Sequence, residues 1–204
     1  MIKISELLKI DKPLILASQS PRRRKLLKQL GFEFSVQPSD VDENGISTEL
    51  PPQEYAMKLA LRKAKDIAEK TLHPAIIIGS DTIVVLDGKI LNKPADREDA
   101  VRMLKTLSGR THTVYTGICL FESVTMRNFS TVQSTEVTFR ELDTDEIAAY
   151  VNTGSPMDKA GAYGIQDDFG AVFVCRVEGC YYNIVGLPLE MLYSSLKEFV
   201  RESI

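Results

Sequence analysis

Residues 75–86 read Ala75-Ile76-Ile77-Ile78-Gly79-Ser80-Asp81-Thr82-Ile83-Val84-Val85-Leu86, two β-branched apolar runs with a polar stretch between them. A short isoleucine- and valine-rich run bounded by turn residues has the pattern of a strand buried on both faces. Ala75 to Gly79 is expected to be such a strand, with Ile83 to Leu86 extended beyond an interruption at Ser80-Asp81-Thr82. Asp87-Gly88 then supplies a hairpin turn. Burying a carboxylate at Asp81 without a partner would cost several kcal/mol, so it needs a cation, a metal or hydrogen bonds. A carboxylate in that position suits activation of water or retention of Mg²⁺; the plainer alternative is a bulge or turn with Asp81 bonded to backbone.

Upstream, Leu14 to Ala17 is a short apolar run, and Pro21 to Leu30 is expected as a helix with Ser20 as N-cap and Gly31 beyond its end. Phe32 to Val36 follows as a second strand and leads into a polar loop with Asp40, Asp42 and Glu43. Pro51-Pro52 opens a long helix in which Tyr55, Leu59, Arg62/Lys63 and Asp66/Ile67 recur at spacings of three and four, before His73-Pro74 breaks it. Downstream, Asp96 to Leu107 reads as a helix ended by Ser108-Gly109, and Thr113 to Leu120 and Phe129 to Phe139 as antiparallel strands. Thr144 is expected to cap a helix to Val151, Ala171 to Val177 and Tyr181 to Val185 to form a hairpin, and Pro188 to open a last helix to about Val200. Early alternation of strands and helices followed by antiparallel strands predicts an α/β fold, a mixed twisted sheet with helices on its faces.

A chain of 204 residues, 44% hydrophobic and 26% charged, has ordinary globular composition and room for one large domain or two lobes around a cleft. Its net charge of −3 lacks the broad basic field of a duplex nucleic-acid binder, so a bound anion must be held by a local cluster. The segment MIKISELLKIDKPLIL carries charges throughout, unlike a secretory signal, and no stretch approaches the ~18 apolar residues that span a bilayer. A cytoplasmic protein with neither membrane nor nucleic-acid partners is expected. Cys119, Cys175 and Cys180 lack zinc-site spacing and are expected to be reduced packing residues, with Cys175 and Cys180 facing each other across the hairpin turned by Val177-Glu178-Gly179. His73 and His112 complete no triad, and neither a Gly-x-Ser-x-Gly elbow nor a P-loop is present.

Further groups could carry chemistry. Ser18-Gln19-Ser20-Pro21-Arg22-Arg23-Arg24 leaves a strand and opens a helix, where free N–H groups, hydroxyls and guanidinium forks suit phosphate oxygens. A capped helix with solvated arginines is the alternative. Lys63 and Lys93 are isolated lysines, either solvated or anion-binding. Asp158-Lys159-Ala160-Gly161-Ala162-Tyr163-Gly164-Ile165-Gln166 is a tight loop of small residues whose terminal amide could read a base edge.

Taken in order, these segments resemble the Maf family of nucleoside triphosphate pyrophosphatases, from about Leu14 to Phe199. The markers are Leu16 to Arg23, Asp42-Glu43, Tyr55 with Leu59-Ala60 and Lys63-Ala64, Gly79 to Thr82, Lys93-Pro94, Leu107 to His112, Thr116-Gly117, Asp158 to Gln166 and Val185 to Leu189. The resemblance implies one Maf/ITPase-like domain over residues 1–204, hydrolysis of a nucleotide between its α and β phosphates, and a homodimer. It makes Asp81 the proton acceptor and places Arg22, Thr82 and Gln166 where base preference is set. Ser20, Lys63 and Lys93 fall to phosphate binding, and Asp81 with Glu43 to a divalent ion, Mg²⁺ or Mn²⁺. Ser80-Asp81-Thr82, with Thr rather than Gln in third place, resembles the branch acting on dTTP and UTP. Here Gln166 is followed by Asp167-Asp168-Phe169-Gly170, one residue longer than the family's usual Ile-Gln-Gly, which bears on the base pocket. The rival function is a non-catalytic, nucleotide-sensing regulator of division or septum formation, which would need the arginines and Gln166 but no acidic pair.

Overall fold

The computed structural model describes residues 4–42, 50–166 and 168–201, which group into two compact units. The first falls within Met1–Asp81, Thr116–Gln133 and Gly186–Ile204, the second within Thr82–Tyr115 and Ser134–Val185.

In the first unit a short helix α1 (Ile4–Leu7) precedes β1 (Leu14–Leu16), α2 (Pro21–Gln29), β2 (Phe34–Val36) and α3 (Pro52–Lys70). β1 is buried at all three residues because strands flank it on both sides: Leu14 pairs in parallel with Phe34 of β2 and with Ile76 of β3 (Ile76–Leu86). The unit also takes the later part of β5 (Thr111–Glu122), the start of β6 (Asn128–Phe139) and α8 (Leu189–Arg201), which buries Leu189, Leu192, Leu196 and Phe199 along one face. Helix α3 lays a stripe of Ala56, Ala60 and Ala64, spaced by four and fully buried, against the strands. Opposite it are glycines: a Cβ built at Gly79 would stand 2.2 Å from the Ala60 carbonyl oxygen, and one at Gly117 2.4 Å from that of Ala56. Backbone thus meets backbone across this seam, and only residues without a Cβ permit it.

The second unit holds the rest of β3, β4 (Lys89–Leu91), α4 (Arg97–Leu107), the start of β5, the end of β6, α5 (Thr144–Asn152), α6 (Asp168–Phe173), β7 (Val174–Glu178) and α7 (Tyr181–Val185). Asp87-Gly88, with φ of 49° and 74°, turns β3 onto β4 antiparallel, as the sequence predicts. Its core gathers Leu104, Leu107, Phe139, Tyr150 and Phe173. Among the described residues the sheet has seven strands in the order β2-β1-β3-β5-β6-β7, with β4 on β3. Its β2-β1-β3 part is parallel, while β3–β4 and β6–β7 are antiparallel, so the mixed α/β sheet flanked by helices is as expected. Among the described residues no helix is long and apolar enough to cross a membrane.

Four local expectations are corrected. β3 runs unbroken through Ser80-Asp81-Thr82, because the polar side chains find partners without disturbing the ladder. The N-cap of α5 is Asp143 rather than Thr144; Glu146 reaches back to accept from the Asp143 amide at 3.1 Å. No hairpin joins 171–177 to 181–185. Phe169 and Phe173, four apart, coil into α6 beside Tyr150, and Asn183 in α7 donates its amide to the Val114 carbonyl and Thr135 Oγ1 at 2.9 Å each. β7 pairs with β6 instead, so Cys175 and Cys180 do not face each other across a turn; all three cysteines are free, Cys119 buried and Cys175 exposed.

Candidate active site

Side chains alternate along a strand, so Gly79 and Asp81 share the face of β3 covered by α3, while Ser80 points the other way. The glycine seam brings α3 close enough for Lys63, next to Ala64, to reach across. Its Nζ lies 2.6 Å from Asp81 Oδ1, with both side chains about a tenth exposed (11% and 10%). Desolvating two charges consumes most of the attraction they gain, so such a pair is weak evidence for stability and stronger evidence for a place kept polar for a purpose.

On the opposite face Ser80 Oγ donates to the Gly186 carbonyl at 3.2 Å. The same carbonyl accepts from Arg23 Nε at 2.8 Å, and Arg23 Nη1 donates to Ser18 Oγ at 3.1 Å. Ser20 caps α2, accepting from the Arg23 amide at 3.4 Å and donating its own amide to Ser18 Oγ at 3.2 Å. Arg23 is therefore the buried arginine of the run, whereas Arg22 is half-buried and Arg24 exposed. Sequence reasoning singled out Arg22 and named Arg23, Ser80 and Gly186 only as members of longer segments, with no role of their own. A signal for Arg23 was available: Arg23, Leu26 and Leu27 are spaced three and four apart, so the arginine shares the inward face of the helix.

In the second unit Thr82 is half-buried on β3, on the strand face opposite Asp81. Lys93 is exposed in the loop after β4, and Gln166 is exposed in the turn before α6. Lys159 is buried and bonded to the Ser155 carbonyl and to Asp158 Oδ1 at 2.8 Å. The structure thus brings Lys63 to Asp81 and Ser20 to the Arg23 network, and leaves Thr82, Lys93 and Gln166 on three different segments of the second unit. Glu43 and Asp167 lie outside the described residues. Among the described residues no group of three or more His, Cys, Asp and Glu could hold a metal ion.

The fold is shared with a solved HAM1 protein from Coxiella burnetii, with a TM-score of 0.51 at 18% sequence identity, covering 92% of this chain and 99% of that one. That likeness sets the class of α/β architecture. The chain itself belongs to the family described as Maf-like protein, whose model matches residues 13–199. Among its relatives, a protein of Acetivibrio thermocellus named dTTP/UTP pyrophosphatase is 49% identical over 91% of this chain and 94% of its own length. One of the same name from Caldanaerobacter subterraneus subsp. tengcongensis is 48% identical over 90% of this chain and 87% of its own.

Proposed function

We propose that this chain is a nucleoside triphosphate pyrophosphatase that hydrolyses dTTP and UTP to the monophosphate and pyrophosphate. The buried ion pair between Lys63 of α3 and Asp81 of β3 carries the assignment, because it joins a base and a cation at the polar centre of a strand that is apolar at both ends. The names borne by relatives at 48–49% identity over nine-tenths of the chain support it.

Asp81 accepts a proton from the attacking water as the water oxygen bonds to the α-phosphorus. The bridging P–O bond to the β-phosphorus breaks, and pyrophosphate leaves with the electron pair. Lys63, held beside Asp81, orients the carboxylate, and Lys93, Arg22 and the Ser20 hydroxyl at the start of α2 offset charge on the phosphate oxygens. The hard oxygen ligands of carboxylates suit Mg²⁺ or Mn²⁺: Asp81 would hold the ion, with Glu43 as a second ligand. When bound, such an ion neutralises phosphate charge and acidifies water. Thr82 and Gln166 read the base: uracil and thymine present two carbonyls flanking one N–H, and an amide with a hydroxyl can match both kinds of edge.

Residues 1–204 act as one domain, a view supported by β3, β5 and β6, each of which contributes residues to both units. Three free thiols suit a cytoplasmic location, and twofold association, the commonest symmetric state, a homodimer.

The test is pyrophosphate release and ³¹P NMR over a panel of triphosphates with and without Mg²⁺ or Mn²⁺. Monophosphate and pyrophosphate in equal amounts, with kcat/KM highest for dTTP and UTP, is the expected result. Diphosphate plus orthophosphate would overturn the reaction; a higher kcat/KM for a purine or for 7-methylguanosine triphosphate would overturn the pyrimidine preference alone.

A further inference from the structure

The loop from Asp158 to Gln166 is pinned at several points within the second unit. The Gly161 amide donates to the Asn92 carbonyl at 3.1 Å, and its α-carbon sits so close to Val84 that a Cβ would lie 3.0 Å from both methyls. The Gly164 amide donates to Tyr150 Oη at 3.3 Å, and Gly170 of α6 lies against the Gly164 carbonyl. Between these points Tyr163 is buried, its ring edge-on to Phe139 with centroids 4.7 Å apart, and its Oη is 2.7 Å from Nε2 of the buried His112 on β5.

That polar contact is not what core packing asks for. His112 is 2% exposed, stacks edge-on with Phe139 and Tyr163, and its Nδ1 is buried with no hydrogen-bond partner among the described residues. Burial pushes its pKa down to about 4, so the ring is neutral near pH 7. A buried polar atom without a partner destabilises, and an apolar side chain of similar shape would avoid it. What the imidazole adds is direction: one hydrogen bond that fixes the height and tilt of Tyr163, three residues before Gln166.

We propose that the His112–Tyr163 hydrogen bond is a positioning device for nucleobase discrimination. It sets the backbone of the turn bearing Gln166 from within the core, and through Gly161 that turn is tied to β3 two residues beyond Thr82 and to Asn92 beside Lys93. The ligand whose acceptance it governs is a pyrimidine nucleoside triphosphate, against a purine one. The proposal rests on Gln166 as a base-reading residue.

The experiment measures kcat and KM for dTTP and ATP, together with Tm, in wild type, Tyr163→Phe, His112→Leu, the double variant and Gln166→Ala. Gln166→Ala is expected to erode the preference for dTTP. Tyr163→Phe and His112→Leu should each lower that preference roughly five- to fifty-fold, mainly through KM for dTTP, as a side chain set slightly out of place does. The double variant should be no worse than the single ones, because one interaction is lost in all three. Should Tyr163→Phe fail to fold, the double variant, which leaves no unmatched polar partner, supplies the same comparison. A fall in Tm with an unchanged dTTP-to-ATP ratio in Tyr163→Phe and the double variant would overturn the positioning role while leaving Gln166 intact. An unchanged ratio in Gln166→Ala would instead overturn the base-reading assignment, and the positioning role with it.

Discussion

Replacing Gly79 by alanine tests how Lys63 is held. The added Cβ would lie 2.2 Å from the Ala60 carbonyl oxygen, 2.8 Å from Ala64 Cβ and 2.9 Å from the Ala64 nitrogen. Non-bonded heavy atoms settle at roughly 3.5 Å, so α3 has to retreat from β3 by about 1 Å. The obstacle is backbone, not the tip of a flexible side chain, which places the cost at the upper end of the usual range for overpacking, about 3 kcal/mol. For a chain of this length that is a fall in Tm of roughly 6–12 °C. Lys63 moves with the helix, and a displacement of that size at a reacting group costs about 100-fold in turnover. Calorimetry gives the first quantity, and pyrophosphate release from dTTP gives kcat/KM for the second. A Gly79→Ala protein with wild-type Tm would show that the seam is not closely packed. A lower Tm with unchanged kcat/KM would show that the position of Lys63 does not depend on it.

Asp81→Asn is expected to lower kcat by about 10²–10⁴-fold, yet to fold, because the amide oxygen still accepts from Lys63; a folded variant with near-normal turnover removes Asp81 from the mechanism. Lys63→Met leaves that carboxylate buried and alone, so chemical denaturation should show a loss of about 3–5 kcal/mol, and a loss below 1 kcal/mol would mean that water reaches Asp81 freely. The His112 pKa falls from 6.5 to about 4 on folding, so the unfolded chain takes up this proton first as the solution is acidified. Its contribution is therefore complete above pH 6.5 and lost as pH falls towards 4, by about 3 kcal/mol in all. Urea titrations of wild type and His112→Leu should diverge by that amount between pH 7 and pH 4, and parallel curves would show that His112 does not stay neutral in the fold.

The amphipathic helices were legible because their burial follows local spacing. The serine-capped α2, the long α3 and the final helix lie within a residue or two of where the pattern put them. Tyr181 to Val185 misled because apolar and aromatic composition suits a strand as well as one helical turn; the choice was made by Thr135 and the Val114 carbonyl, almost 50 and 70 residues earlier. Asp81 stood out as a carboxylate needing a partner, but nothing in spacing said that the partner was Lys63. The alanine stripe of α3 was plainly one helix face, yet its counterparts at Gly79 and Gly117 lie in separate strands and become visible only when the sheet is assembled. Arg23 was readable from periodicity, whereas its acceptor at Gly186, 163 residues away, was not.

A layer of leucines absorbs a mutation by switching rotamers. The seam of Ala56, Ala60 and Ala64 against Gly79 and Gly117 has no χ angles to switch. Larger side chains are barred at every one of the five positions, and a smaller one at an alanine only opens a gap. Neutral drift therefore finds almost no path through this interface. The five are expected to change together or not at all, and a library aimed at altering the enzyme's temperature range should leave them untouched and spend its diversity on the exposed face of α3.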